Sequence, residues 1–112
     1  MAKFLVEASY TAEGARGLLK DGGTGRRAAV EELVKPLGGK VEAMYFAFGK
    51  HDVVLLMDAP DNATAVAVAL AVNASGAVQL RTTVLLTPEE VDQAARKTVK
   101  YRAPGAGTGG KR

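Results

Sequence analysis

The sequence predicts an α+β domain in the order βαββαβ, followed by one more helix. Three observations carry that prediction. Phe4, Val6, Ala8 and Tyr10 alternate with Leu5, Glu7 and Ser9, which is the period of a strand with one face more apolar than the other. Two apolar runs, Tyr45–Phe48 and Val53–Leu56, are joined by the short polar turn Gly49-Lys50-His51-Asp52, the pattern of a hairpin. Between and after these strands lie segments with helical spacing or helix-start signals. The order is that of the split βαβ, or ferredoxin-like, arrangement: a four-stranded antiparallel sheet with two helices on one face.

Each element has a local reason. Strand one covers Phe4 to Tyr10, and Thr11 then stands where a side chain caps the helix opening at Ala12. Gly14 and Gly17 weaken that helix, and Asp21-Gly22-Gly23-Thr24-Gly25 interrupts it. Ala28, Ala29, Val30, Leu33, Val34 and Leu37 then recur at helical spacing until Gly38-Gly39 stops the run. This is one interrupted helix or two stacked pieces. Strand two runs from about Lys40 to Phe48 and strand three from Asp52 to about Asp58. Val53-Val54-Leu55-Leu56-Met57 is apolar on both faces, so strand three belongs inside the sheet.

Ala63 to Ala74 alternates alanine with valine and leucine, and period alone permits a strand there. Length, alanine content and a cap at Asp61 or Asn62 favour helix. Asn73 and Gly76 then read as its C-terminal turn, and strand four follows at about Val78–Leu86. Thr87-Pro88-Glu89-Glu90 is a helix start with a cap, proline at the first position and a capping-box glutamate, opening a short helix to about Lys100.

With 112 residues the chain has the usual size of one domain, and it contains no cysteine, which excludes disulfides, thiol catalysis and thiolate metal sites. The N-terminal apolar run is too short for a signal peptide, and no segment approaches the ~20 apolar residues that span a bilayer. A soluble, cytoplasmic protein with no membrane contact is expected. The net charge of +3 conceals an asymmetry: 6 of the 15 basic residues follow position 95, where no acidic residue occurs, leaving 9 basic against 12 acidic side chains before it. Residues 1–95 therefore read as a single acidic domain, and 96–112 as the end of the last helix with a basic, glycine-rich, flexible tail. A compact nucleic-acid module carries its basic footprint on the folded surface, so nucleic-acid binding is expected, if anywhere, through the tail 96–112.

Two helices cover one sheet face only. Leu5, Met44, Phe46 and Leu85 are assigned to the other, beside a third strand that is apolar throughout, and such a face implies a homo-oligomer, a dimer or higher.

Candidate chemistry is sparse. His51 is the only histidine, and imidazole is the side chain that exchanges protons nearest neutral pH, but its neighbour Asp52 should point to the opposite face of the strand. Asp52 suits a turn-stabilising role, with Gly49 easing the turn. Lys20-Asp21-Gly22-Gly23-Thr24-Gly25-Arg26-Arg27 places glycines before two arginines at a helix head, where amides and guanidinium groups suit a phosphate or carboxylate. The segment matches neither Gly-x-x-x-x-Gly-Lys-Ser/Thr nor Gly-x-Gly-x-x-Gly. Lys20, Gly22, Gly23, Arg26, Arg27, Gly49, His51 and Asp52 are thus the candidate ligand-binding residues. Tyr10, Tyr45, Phe46 and Phe48 could line a pocket, with tyrosine hydroxyls as polar handles. No metal site and no cofactor are expected, because one histidine without cysteine leaves only hard oxygen ligands and no carboxylates cluster at ligand spacing.

The hairpin Gly49-Lys50-His51-Asp52, together with Ala8-Ser9-Tyr10-Thr11, Lys20-Asp21-Gly22-Gly23, Gly38-Gly39-Lys40 and Asn73-Ala74-Ser75-Gly76, resembles the GYD-domain family of small bacterial proteins. Their Gly-x-Tyr-Asp signature falls at this hairpin, with His51 in the tyrosine's place. The resemblance spans about the first four-fifths of the chain and implies a fold similar to the dimeric α/β barrels, which pair through their sheets. It implies no particular reaction. The first functional reading is a small-molecule binding and oligomerisation domain whose ligand is an anion. A second is an oxygenase- or isomerase-like enzyme of the dimeric barrel type using His51, Tyr10 or Tyr45 as acid or base. A third is a nucleic-acid accessory protein acting through the tail.

Overall fold

A computed structural model of the chain describes residues 1–47 and 49–106. The expected end of strand two at Phe48 and the tail residues 107–112 lie outside them. The elements are β1 (Ala2–Tyr10), α1 (Ala12–Val34), a 3-10 turn (Lys35–Leu37), β2 (Lys40–Phe46), β3 (Val53–Ala59), α2 (Asn62–Ala74), β4 (Val78–Leu85) and α3 (Pro88–Ala95). The four strands form one antiparallel sheet in the order β2-β3-β1-β4, the ferredoxin-like order, with the two apolar strands β1 and β3 at its centre.

Register divides the side chains between two faces. Toward α1 and α2, Phe4, Val6 and Ala8 of β1 alternate into a core completed by Val53, Leu55, Met57 and Ala59 of β3, Val41 of β2, Val34 of α1 and Ala65 of α2. Phe4 and Val34 are the largest fully buried side chains. Such residues contribute roughly 1.5–3 kcal/mol each by leaving water, which is the main force holding the helices to the sheet.

Away from the helices, aligned positions form rows across the strands. One runs Ala43, Leu56, Leu5, Thr83, and the next runs Tyr45, Val54, Glu7, Arg81. A third contains Lys40, Asp58, Lys3 and Leu85. There the Lys3 amine donates to Asp58 at 2.8 Å and to Glu42, and these two hydrogen bonds, Asp58 first, raise it above its ordinary 10.5.

Met44 and Phe46 do not belong to this outer face. Met44 pairs with Leu55 and Phe46 with Val53, so both face the helices. A bulge between Val41 and Ala43 inserts a residue, and one residue of shift exchanges every side chain beyond it between faces. A strictly alternating reading of β2 misses that exchange.

The connections are held by side-chain caps. Thr11 accepts from the Gly14 amide at 3.2 Å, and its hydroxyl lies 3.0 and 3.1 Å from the carbonyls of Gly76 and Ala77, tying the start of α1 to the β4 turn. Asp61 caps α2 by accepting from the Thr64 amide at 2.8 Å, and that bond to the carboxylate depresses its pKa below the ordinary 3.8. Asn73 brackets Leu80, accepting from its amide at 2.8 Å and donating to its carbonyl at 3.4 Å, which fastens α2 to β4.

α3 starts at Pro88 with the full capping box between Thr87 and Glu90, but it ends at Ala95 rather than near Lys100. Beyond Ala95 come Arg96, Lys97 and Lys100, which repel one another, and the β-branched Thr98 and Val99, with no apolar surface to pack on. Every residue from Leu86 to Gly105 is exposed. The radius of gyration is accordingly 19.0 Å, against about 13 Å for a compact chain of this size.

α1 contains a close approach that only glycine allows. A Cβ on Gly14 would lie 2.0 Å from the Ala77 carbonyl oxygen and 2.9 Å from the Tyr10 ring, whereas one on Gly17 would meet nothing within 4 Å. Alanine is the better helix former by about 0.8–1 kcal/mol. Gly17→Ala should therefore raise the urea midpoint, while Gly14→Ala should lower it, at an overpacking cost of about 1–3 kcal/mol. Equal effects of the two substitutions on urea unfolding would show that the helix start does not sit against Ala77.

The Asp61 cap predicts a pH dependence. A depressed folded-state pKa contributes stability that is present above the unfolded value of 3.8 and is lost as pH falls through the folded value. Asp61→Asn, which can still cap, should be less stable than the parent at neutral pH. The gap should close as the medium is acidified below 3.8, as read from urea midpoints across pH.

Candidate functional site

The helix layer does not close over the sheet. Between α1 and the strands lies a cavity of about 90 Å³ lined by Val6, Val30, Leu55, Val68 and Leu80, with Tyr10 and Arg26 at its border. It adjoins a larger depression of about 360 Å³ between α1 and α2, and another of about 400 Å³ between α1 and the β2–β3 hairpin. Tyr10 borders all three spaces, and Arg26 borders the first two.

The geometry of α1 produces this opening. Its buried residues are Gly14 near one end and Val34 at the other. Between them Gly22 takes φ 75° and ψ 169°, a left-handed conformation that favours glycine and breaks the helix into two segments with different directions. The interruption expected at 21–25 is thus a kink at one residue. Gly23, next to it, lies where a Cβ would come within 3.3 Å of the Phe46 ring, so its small size serves helix-on-sheet packing.

The two arginines after the kink part company. Arg26 turns toward the cavity, with its side chain 31% exposed and its guanidinium 3.8 Å from the Asp21 carboxylate. That separation is an ion pair too long for a hydrogen bond, and it leaves the planar fork able to take a second anion. Arg27 lies on the outer surface of the helix, 3.7 Å from Glu31 one turn on. Lys20 is exposed and borders none of these spaces.

The hairpin residues also separate by face. The Asp52 carboxylate accepts from the Tyr10 amide at 2.9 Å, while its own amide donates to the Ala8 carbonyl at 2.8 Å. Ala47 donates to the Asp52 carbonyl at 2.8 Å. Asp52 thus fastens the hairpin to the end of β1, and its long-range partner is the backbone of the residue that borders the cavity. His51 lies on the other side, with Nε2 3.7 Å from the Glu7 carboxylate, in a shallow polar depression shared with Lys50, Gln79 and Arg81. Gly49 is exposed, with open space around its Cβ position.

The three candidate acid–base residues consequently do not meet. Tyr10 faces the helices, while Tyr45, 70% exposed, lies in an outer row of the sheet and His51 stands beside Glu7 of that same row. Among the described residues no group of three or more histidine, cysteine or acidic side chains could hold a metal ion. None of the described helices is long and apolar enough to cross a membrane.

Sequence reasoning named Arg26 and Tyr10 separately, and only the fold brings both to one opening. It missed the Lys3, Glu42 and Asp58 cluster, although Lys3 and Asp58 fall on directly paired positions of β1 and β3 once the register is known. It also missed Asn73 as the clamp on Leu80.

Neither the curated proteins nor the solved structures gave a match to the chain. The family model of the GYD domain matches residues 4–95, from the first core phenylalanine of β1 through the last residue of α3, and so takes in the sheet, the kinked helix and the His51 hairpin. With that span matched, the chain belongs to the GYD-domain family.

Proposed function

We propose that this GYD-domain protein is a small-molecule binding and oligomerisation domain, and that its ligand is an anion with an apolar body held under α1. The observation that carries the reading is Arg26, among the described residues the one charged side chain at the border of an otherwise apolar cavity. Apolar walls favour a hydrocarbon or aromatic portion, and a guanidinium fork favours a carboxylate or comparable oxyanion. The ligand's anionic group would replace Asp21 as the nearer partner of Arg26. Tyr10, fixed at its backbone by Asp52, supplies an aromatic wall at the junction of the three spaces.

Oligomerisation is assigned to the outer sheet face. Its central row of Ala43, Leu56, Leu5 and Thr83 has no helix above it, and rows containing Lys3, Asp58, Glu7 and Arg81 flank it. An apolar centre with a charged rim is the anatomy of a protein–protein interface, and a second copy supplies the same pattern to itself through a two-fold axis.

Two measurements test these assignments. The fluorescent arylsulfonate 8-anilinonaphthalene-1-sulfonate serves as an anionic apolar probe in a titration. Arg26→Met should raise its Kd about tenfold or more, from the loss of a charge-assisted hydrogen bond, while Arg27→Met should leave it within about twofold. Equal affinities for the parent and Arg26→Met would remove the cleft as the anion site. For the outer face, Leu56→Lys and the less intrusive Tyr45→Lys should shift sedimenting mass from dimer toward monomer while far-UV circular dichroism is retained. An unchanged mass would reject that interface.

A further inference from the structure

The cleft under α1 changes chemical character along its length. Among the described residues its inner end, the cavity of about 90 Å³, is apolar apart from Tyr10 and Arg26. The adjoining depression of about 360 Å³ shares Tyr10, Arg26, Leu33, Val72 and Val78 with it, and adds the carboxylates of Asp21 and Glu13. Passing outward from the inner end, the order is therefore hydrocarbon, guanidinium, carboxylate. An apolar cavity of about 150 Å³ accommodates benzene, so the smaller one here suits a branched aliphatic group of about three or four carbons, with an aryl ring left to the depressions outside it.

Asp21 and Arg26 are brought together by the kink. In an unbroken helix two residues five apart stand about 140° from each other around the axis. Gly22 lies between these two and turns the chain, so both border the one depression. Their 3.8 Å separation leaves the guanidinium donors and the carboxylate oxygens without a hydrogen bond to each other. A ligand that is only an anion gains Arg26 but isolates Asp21, which loses its counter-charge and then faces the incoming negative group at close range. A ligand with a carboxylate and an ammonium on neighbouring atoms removes that conflict. It places the carboxylate on Arg26 and the ammonium on Asp21, exchanging one loose ion pair for two charge-assisted hydrogen bonds. Glu13 stands eight residues before Asp21, about 12 Å along the helix, so Asp21 is the acid near enough to pair with a group held at Arg26.

We infer that the ligand of this cleft is a zwitterion, an α-amino acid with a branched aliphatic side chain: the side chain fills the inner cavity, the carboxylate pairs with Arg26 and the ammonium with Asp21. The inference rests on the cleft reading above and adds a cationic group to the ligand assigned there. Asp21 is then a specificity residue, favouring a ligand with an amine beside its carboxylate over a simple carboxylic acid of the same shape.

Three compounds that share one hydrocarbon chain provide the test: L-leucine, isocaproate, which lacks the amine, and isoamylamine, which lacks the carboxylate. Dissociation constants are read from the methyl resonances of Val30, Val68 and Leu80, which line the cavity, in titrations of the full chain. L-leucine should bind at least about tenfold more tightly than either of the other two. Asp21→Asn should weaken leucine about tenfold and tighten isocaproate, a reversal that mere loosening of the helix would not produce. Glu31→Gln, which removes a negative charge from the outer surface of the same helix, should leave both constants within about twofold. Isocaproate bound by the parent as tightly as leucine, and lost in Arg26→Met, would overturn the inference while the anion reading stands. Equal weakening of both compounds by Asp21→Asn would overturn it too. If neither compound moves these resonances the inference also falls, and the cleft reading is then decided by the arylsulfonate titration alone.

Discussion

One constraint shapes this domain: its four-stranded sheet has two faces, and the two long helices both lie on one of them. The central strands are built for burial, with Phe4, Val6, Ala8, Val53, Leu55 and Met57 pressed against the helices. Because side chains alternate, the same strands must also present Leu5, Val54 and Leu56 outward. The chain moderates that outer face with charge, as in the ladder of Lys3, Asp58 and Glu42, instead of covering it. The cleft has the same origin, because α1 and α2 are not wide enough together to seal the sheet beneath them.

Much of the fold was legible because its signals are local. Thr11, Asp61 and Thr87 each start a helix where the sequence placed a cap, and the apolar run of β3 identified an interior strand. Where the reading failed, the missing information was not local. The bulge that turns Met44 and Phe46 toward the helices depends on pairing with β3, and nothing in Val41-Glu42-Ala43 announces it. α3 ended early because no tertiary surface met it past Ala95. The site was legible only in pieces. The glycine–arginine segment was marked by composition, but the turning of Arg26 inward and Arg27 outward follows from a kink at Gly22 that composition cannot place among neighbouring glycines.

The hairpin shows how a signature can be partly structural. Asp52 holds the β1 backbone at two points, its side-chain oxygen accepting from the Tyr10 amide and its own backbone amide donating to the Ala8 carbonyl, and only the first of these depends on the side chain. Its neighbour His51 lies across the sheet from the cleft, near Glu7, and takes no part in the bond Asp52 makes. The two residues answer to different surfaces, and substitutions at one carry little information about the other.

α1 is buried at Gly14 and Val34, and its middle spans a partly empty space above the sheet. A beam fixed at both ends, with a hinge at Gly22 between them, has a local opening free energy set by few buried contacts and therefore smaller than that of the sheet. Entry to the cleft then needs only the middle of one helix to lift, while β1 and β3 keep their pairing. A molecule held there as proposed would exchange at a rate independent of the chain's unfolding, and substitutions at residues such as Val30 and Arg26 would reshape the cleft without altering the strands that define the fold.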